Sequence, residues 1–134
     1  MAKSIGYLGF FPGVITNKLQ ESQQLYTEFL GFHVIFANDW YIHLQSSGQT
    51  KVELGFLVPD HPDQAKVFQP IFLGQGIFFS FEVEDVDAEY TRLKALDIPI
   101  AVDLRDEPWG DRHFSIIDPN GIGIDILRYR SPEG

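Results

Sequence analysis

The sequence predicts an α+β fold built from two copies of a β-α-β-β-β unit. Two amphipathic segments of helical period lie 67 positions apart, each follows a strand-like run, and three strand-like runs follow each of them. With 134 residues, 44% of them hydrophobic, the chain is long enough to bury a core without disulfides. We expect a single domain, 1–134, with modules at 1–58 and 77–130 and a connector at 59–76.

The first amphipathic segment, Asn17–Gly31, predicts a helix. Asn17 is the expected N-cap, with Gln20 three residues later as in a capping box, and Gly31 stands where a left-handed C-cap is needed. A strand, Phe10–Ile15, precedes the helix. The apolar side chains recur at the spacing of one helix face: Leu19, Tyr26, Phe29 and Leu30.

The second amphipathic segment, Asp85–Asp97, repeats this pattern, with Asp85 as the expected N-cap. A shift of 67 positions places the first helix on the second and the strand Phe10–Ile15 on Ile77–Val83. The predicted buried stripe consists of Val86, Tyr90, Leu93 and Leu96.

Three predicted strands follow each helix, separated by turn residues such as Ser-Ser-Gly at 46–48 and Asp-Pro-Asn-Gly at 118–121. The connector contains three Pro and is expected to hold one helical turn. A sheet with one helix leaves a face uncovered, so two copies related by a pseudo-twofold axis should curl a mixed sheet around a cleft, with the helices outside. The strands are His33–Asn38, Trp40–Gln45, Lys51–Val58, Ile98–Leu104, His113–Ile117 and Gly123–Arg128.

Composition excludes several classes of function. Cysteine is absent, so disulfides, thiolate metal ligands and a cysteine nucleophile are excluded. No apolar run is long enough to span a membrane and the start does not resemble a secretory signal, so we expect a cytoplasmic protein. The net charge of −9, without a basic stripe, argues against nucleic-acid binding and mildly favours a cationic ligand.

Three segments resemble motifs of the glyoxalase/bleomycin resistance protein/dioxygenase superfamily, the vicinal-oxygen-chelate proteins. They are SQQLYTEFLGF (22–32), FSFEVEDVDAEYTRLKALDI (79–98) and EPWGDRHFSIIDPNGIGIDIL (107–127). The third is the most specific, because both of its turns and the strand length between them match. The resemblance implies the two-module fold, a cleft for a small molecule and a homodimer.

In metal-dependent members of this superfamily, the first and last strands of each module supply the ligands, mostly His, Gln and Glu. Carried onto this chain, the last-strand positions are Glu53 and Asp125, and the first-strand positions fall near Phe11 and Phe78. Phenylalanine cannot ligate, and two carboxylates alone bind a divalent ion weakly. We therefore expect no cofactor, with a divalent metal as the alternative.

The predicted ligand site is an aromatic-lined cleft with the two carboxylates at its floor and Arg112 or a cationic ligand as their partner. Because side chains alternate along a half-exposed strand, the alternative that both carboxylates face solvent stays open. Among the histidines, His43 is a candidate to face the cleft, and at most one of the neighbours Arg112 and His113 lines it unless a bulge intervenes. The aromatic lining residues are Phe11, Trp40, Phe78 and Trp109.

The favoured function is binding of a small organic ligand, with cationic aromatic compounds among the candidates, as in the drug-sequestering branch of the superfamily. One alternative is a metal-dependent lyase, isomerase or ring-cleaving dioxygenase using Glu53 and Asp125. A third is metal-free acid–base catalysis by one of these two carboxylates.

Overall fold

The computed structural model describes residues 5–129 of the chain. Contacts divide the chain into two compact units, residues 1–72 and 73–134, and each contains one β-α-β-β-β module. The α+β fold with two such modules is therefore confirmed. The single domain, with module bounds at 58 and 77, stays a prediction, and its bound at residue 130 lies outside the described residues. Within residues 5–129, no helix has the length and apolar character needed to cross a membrane.

The first module is a mixed four-stranded sheet with one helix. Its strand order is β1-β4-β3-β2, with β1 parallel to β4 and the remaining pairs antiparallel. A 3₁₀ turn at Lys66–Phe68 follows in the predicted connector. The elements are β1 (Gly13–Ile15), α1 (Leu19–Phe29), β2 (Phe32–Ala37), β3 (Tyr41–Ser46) and β4 (Glu53–Leu57).

The second module repeats this arrangement with the strand order β5-β8-β7-β6 and the parallel pair between β5 and β8. The two helices begin at Leu19 and Val86, which reproduces the 67-residue shift seen in the sequence. The elements are β5 (Phe78–Glu82), α2 (Val86–Ala95), β6 (Val102–Asp106), β7 (Asp111–Ile117) and β8 (Gly123–Tyr129).

Each helix packs on one face of its own sheet. In the first module, the ring of the fully buried Tyr26 lies 5.2 Å from that of Phe56. In the second, the ring of Tyr90 lies 5.2 Å from that of the fully buried Phe114. Because side chains alternate along a strand, each sheet has an opposite, helix-free face. This face carries Tyr41, His43, Gln45, Glu53 and Gly55 in the first module, and Phe78, Ser80, His113, Ser115 and Asp125 in the second.

The helix ends correct one prediction and confirm two. The N-cap of α1 is Lys18, whose side chain makes no capping hydrogen bond, so the predicted Asn17 cap is wrong. The chain enters this helix one residue later because the Lys18 N–H donates to the Thr16 hydroxyl at 2.9 Å. The Asp85 carboxylate accepts from the Ala88 N–H at 3.0 Å, and Gly31 has φ of +77°, both as predicted.

Two predicted strands begin too early. Strand β1 begins at Gly13, so Phe11 precedes the strand and its side chain is 54% exposed. Strand β6 begins at Val102 rather than Ile98, because the Ile98 N–H turns back to the Leu93 carbonyl at the end of α2 and Pro99 has no N–H for a ladder.

The outer hairpin of each module contains a β-bulge. In the first module the register shifts between Val34 and Phe36, which leaves Ile35 as the extra residue of β2. In the second it shifts between Val102 and Arg105 of β6. A bulge bends the strand and increases its local twist. The bulge therefore bends the equivalent edge strand of each sheet, β2 in the first module and β6 in the second.

Candidate functional site

The helix-free face of each module carries a histidine bonded to a carboxylate of the last strand. His43 Nε2 lies 2.6 Å from Glu53 Oε1, and His113 Nδ1 lies 2.6 Å from Asp125 Oδ1. In both modules the carboxylate pairs across the ladder with the residue two positions after the histidine. The two repeats therefore share the same diagonal pair between neighbouring strands.

In the first module a tyrosine hydroxyl extends this pair. Tyr41 Oη lies 2.8 Å from His43 Nδ1. Burial raises the pKa of Tyr41 above its ordinary value of 10.0, and the negative charge of Glu53 raises it further. The phenol therefore stays protonated, and the two ring nitrogens of His43 lie between this hydroxyl and the Glu53 carboxylate. Tyr41, His43 and Glu53 thus form one continuous hydrogen-bonded row.

Close packing holds this group in place. The Phe11 ring meets the His43 ring edge-on, with centroids 4.7 Å apart. Gly55 lies directly under Tyr41, because a Cβ at position 55 would stand 2.6 Å from the Tyr41 hydroxyl oxygen. Only glycine leaves room for the tyrosine ring in this position.

In the second module His113 lies between two carboxylates. Its Nδ1 contacts Asp125, and its Nε2 lies 2.8 Å from Glu107 Oε2. Because a neutral imidazole has only one N–H, both contacts require the doubly protonated imidazolium. Burial by itself lowers the pKa of His113, but the hydrogen bonds to Glu107 and Asp125 outweigh it and raise the pKa above 6.5. Position 113 thus carries a positive charge below the raised pKa of His113.

Glu107, in the turn after β6, stabilises the positive charge of His113. The His113 and Arg105 hydrogen bonds lower the pKa of Glu107 below its ordinary value of 4.5. The Arg105 Nε donates to the same Glu107 oxygen at 2.6 Å, and the Ser115 hydroxyl donates to Asp125 at 3.0 Å. All the partners that face the His113 ring nitrogens are therefore anionic.

Replacing His113 with glutamine should destabilise the protein over a limited pH range. Because the pKa of His113 is raised, its stabilisation is complete below about pH 6.5 and is lost as the pH rises through the folded pKa. Because the pKa of Glu107 is lowered, its stabilisation is complete above about pH 4.5 and is lost as the pH falls further. We expect a loss of about 1 kcal/mol between these two pH values and a smaller loss at pH 9, measured by urea unfolding.

The matched control is His33→Gln, on the exposed edge strand β2. It should show no such pH dependence. A loss for His113→Gln that is constant with pH, or that grows towards pH 9, would contradict the charged state of His113.

The predicted role of Arg112 as the partner of the carboxylates is wrong. Its guanidinium bonds Asp87 at 2.7 Å and Asp106 at 3.2 Å, on the helix side of the sheet. Arg112 and His113 are adjacent in β7, so their side chains point to opposite faces. His113 therefore takes the position beside Asp125 that the sequence left open between the two residues.

The four aromatic residues predicted to line the cleft have different surroundings in the structure. The Trp40 ring stacks on the His61 ring at 4.2 Å, and the Trp109 indole N–H donates to Asp111. Phe78 is 68% exposed and pairs with Gly123 in the ladder. The first unit contains Phe11, Trp40 and Glu53, and the second unit contains Phe78, Trp109 and Asp125. That these residues line one cleft stays a prediction.

The donor set does not fit a metal centre of the kind the superfamily uses. Glu53 and Asp125 each engage a histidine, and Phe11 and Phe78 offer no ligating atom. The residue beside Asp125 in the first strand of its module is Ser80, a weak ligand. Among residues 5–129, no group of three or more His, Asp or Glu side chains converges on a point where an ion could be held.

Comparison with known proteins agrees with this fold. A family model described as the Glyoxalase/Bleomycin resistance protein/Dioxygenase superfamily matches residues 5–126. Similar solved structures include a bleomycin-binding protein complexed with bleomycin, with 18% identity, a TM-score of 0.66 and coverage of 91% of this chain and 98% of that one.

Another similar structure is a lactoylglutathione lyase from Agrobacterium tumefaciens, with 20% identity, a TM-score of 0.70 and coverage of 92% and 95% of the two chains. A glyoxalase/bleomycin resistance protein/dioxygenase from Nocardioides has 18% identity, a TM-score of 0.75 and coverage of 98% and 89%. A search of curated proteins found no match. At these identities the solved structures establish a shared fold and nothing more.

Proposed function

Because the chain belongs to the glyoxalase/bleomycin resistance protein/dioxygenase superfamily, we propose that it binds a small cationic aromatic ligand without a metal ion. The observation that carries this proposal is a part-buried carboxylate on the helix-free face of each module, accompanied by exposed aromatic rings. Glu53 and Asp125 keep 23% and 20% of their side-chain surface exposed. A carboxylate in such a setting attracts a cation more strongly than one in open water.

The aromatic rings supply the second element of recognition. Phe11 lies against His43 on the first face, and Phe78 lies on the same face as Asp125 in the second module. Trp109 is 58% exposed at the turn before β7. Exposed rings of this kind stack on flat ligands and attract cations to their faces. The net charge of −9 adds long-range attraction for a cation.

The structural neighbours point in the same direction. One is described as a bleomycin-binding protein in complex with bleomycin, and another as an antibiotic-binding protein from a Streptomyces species. Both descriptions concern proteins of the same fold with about one residue in five identical. They make bleomycin a reasonable first probe for this chain.

The test is titration of the purified protein with bleomycin and with ethidium, followed by calorimetry and tryptophan fluorescence. We expect saturable binding, weakened about tenfold by Glu53→Gln or Asp125→Asn, because each change removes one attractive charge. The control is Glu28→Gln on the exposed side of α1, which removes the same charge away from either face. Absence of binding, or equal weakening by the control, would contradict the proposal.

A metal-dependent lyase, isomerase or dioxygenase using Glu53 and Asp125 is the alternative. Metal analysis of the same preparation, before and after addition of Mn²⁺, Ni²⁺ or Zn²⁺, separates the two. We expect no stoichiometric ion. One ion per chain that is lost in Glu53→Gln would favour the metal-dependent enzyme.

Two further expectations from the sequence remain predictions. The homodimer is supported by the family and by exposed apolar side chains on β2, such as Phe36, and sedimentation of the purified protein would test it. The cytoplasmic location likewise stays a prediction.

A further inference from the structure

The first module carries a row of three hydrogen-bonded groups that ligand binding alone does not require. We propose that Tyr41, His43 and Glu53 form a proton relay through which the Tyr41 hydroxyl removes a proton from a bound carbon acid. The expected substrates are small, flat compounds with an acidic C–H bond. This activity goes beyond the proposed binding function and does not depend on a cationic ligand.

The relay is a hydroxyl, an imidazole and a carboxylate in one row, in which the protonated phenol would pass a proton to the imidazole. Tyr41 Oη lies 2.8 Å from His43 Nδ1, and His43 Nε2 lies 2.6 Å from Glu53 Oε1. A reactive group, a base and a residue that orients the base, all within hydrogen-bond reach, are the signature of an activated side chain. The relay requires the imidazole proton on Nε2, so that Nδ1 can accept the proton of the Tyr41 hydroxyl.

The proton balance closes without any cofactor. When the ligand's proton moves to the Tyr41 oxygen, the phenol's own proton moves to Nδ1 of His43. The imidazolium formed in this way faces the Glu53 carboxylate, which stabilises the positive charge. The electron pair of the broken C–H bond stays on the ligand. Loss of the proton from His43 to water, through Tyr41, restores the starting state.

The packing around the relay is specific to it. Gly55 provides the space that holds the Tyr41 hydroxyl beside His43, and Phe11 covers one edge of the imidazole. Only 11% of the His43 side-chain surface is exposed, so the imidazolium would form in a partly dry setting.

The second module lacks this arrangement although it shares the histidine–carboxylate pair. The residue two positions before its histidine is Asp111, where the first module has Tyr41, and Leu127 pairs with His113 where Gly55 pairs with His43. Both ring nitrogens of His113 already face carboxylates. The His113 ring nitrogens therefore contact carboxylates rather than a hydroxyl, and we assign the relay to the first module alone.

The test uses 5-nitrobenzisoxazole, a flat carbon acid whose product is coloured. Its C–H proton goes to the base, the C–H electrons form a C≡N bond, and the N–O bond breaks to release a phenolate. We expect the wild type to exceed Tyr41→Phe and His43→Gln by about tenfold or more at neutral pH. Gly55→Ala should cause a similar loss, because its methyl group pushes the Tyr41 hydroxyl away from His43 while removing no functional group.

The controls are Tyr90→Phe and His33→Gln, which remove the same chemical groups from other positions and should leave the rate unchanged. Circular dichroism checks that each variant is folded. If Tyr41→Phe keeps the wild-type rate, the base is His43 itself or another group, and the relay is overturned. Equal rates in all variants would overturn it as well.

A spectroscopic measurement tests the positioning roles of His43 and Glu53 independently of rate. The ¹⁵N shifts of His43 should report an unprotonated, hydrogen-bonded Nδ1 and a protonated Nε2 in the wild type. Tyr41→Phe and Gly55→Ala should remove the hydrogen-bond shift at Nδ1, and Glu53→Gln should change the Nε2 signal. A protonated Nδ1 in the wild type would contradict the relay. Bleomycin titration is read separately, so failure of the relay and failure of ligand binding are distinguishable.

Discussion

Phe114→Ala should lower the free energy of unfolding by about 3–5 kcal/mol, the largest effect we expect from a single substitution. Phe114 is fully buried in β7 between the sheet and α2. Its ring meets that of Tyr90 at a steep angle, with centroids 5.2 Å apart. Removal of the ring loses both the transfer free energy and the contacts across the cavity that remains. Urea unfolding, followed by circular dichroism, measures the loss.

The matched control is Phe68→Ala, in the 3₁₀ turn of the connector, where the ring is 53% exposed. This change should cost less than about 1 kcal/mol. A loss for Phe114→Ala as small as that of the control would contradict the packing of the second module. The same curves test the single-domain prediction, since one cooperative unit gives one transition and independent modules give two.

Asp118→Ala should lower the free energy of unfolding by about 2–4 kcal/mol. Asp118 is 4% exposed and begins the Asp-Pro-Asn-Gly turn. Its Oδ1 accepts from the N–H of Asn120 at 2.8 Å and from the N–H of Ile122 at 2.9 Å. Ile122 is fully buried, so its N–H would be left without a partner and shielded from water. Urea unfolding again gives the magnitude.

Two control variants are compared with Asp118→Ala. Asp118→Asn keeps a side-chain oxygen in place and should lose less than half as much stability. Asp63→Ala, at an exposed position, should be close to neutral. An Asp118→Ala protein as stable as the wild type would mean that the turn forms without its carboxylate.

The repeat and its helices could be predicted from the sequence because local patterns determine them. Apolar spacing places the buried faces of both helices, and Tyr26 and Leu93, which the 67-residue shift superposes, are both fully buried. The Asp85 cap could be recognised because a short acidic side chain before an amphipathic segment has one favourable role there. The Asn17 cap failed because Thr16, one residue earlier, satisfies the backbone instead.

The hydrogen-bonded pairs of the candidate site could not be predicted in this way. The contact between His43 and Glu53 depends on the register of β3 against β4, and a slip of one residue would turn either side chain to the other face. Glu107 lies in an irregular turn, where no periodicity indicates direction. Glu53 and Asp125 could be singled out as carboxylates inside apolar strands, but their histidine partners emerge only from the pairing of the strands.

The bulge in β2 has a consequence for the behaviour of the protein in concentrated solution. Strand β2 lies at the edge of its sheet and exposes Val34, Ile35 and Phe36, a short apolar stretch with an open row of backbone groups. Such an edge is a template for pairing with another chain, and the extra residue at Ile35 interrupts the spacing that a second strand would need. The corresponding edge strand β6 carries the charged side chains Asp103 and Arg105, whose desolvation opposes the addition of another strand. A second chain could therefore extend the sheet at β2 only after the irregularity at Ile35 had been straightened.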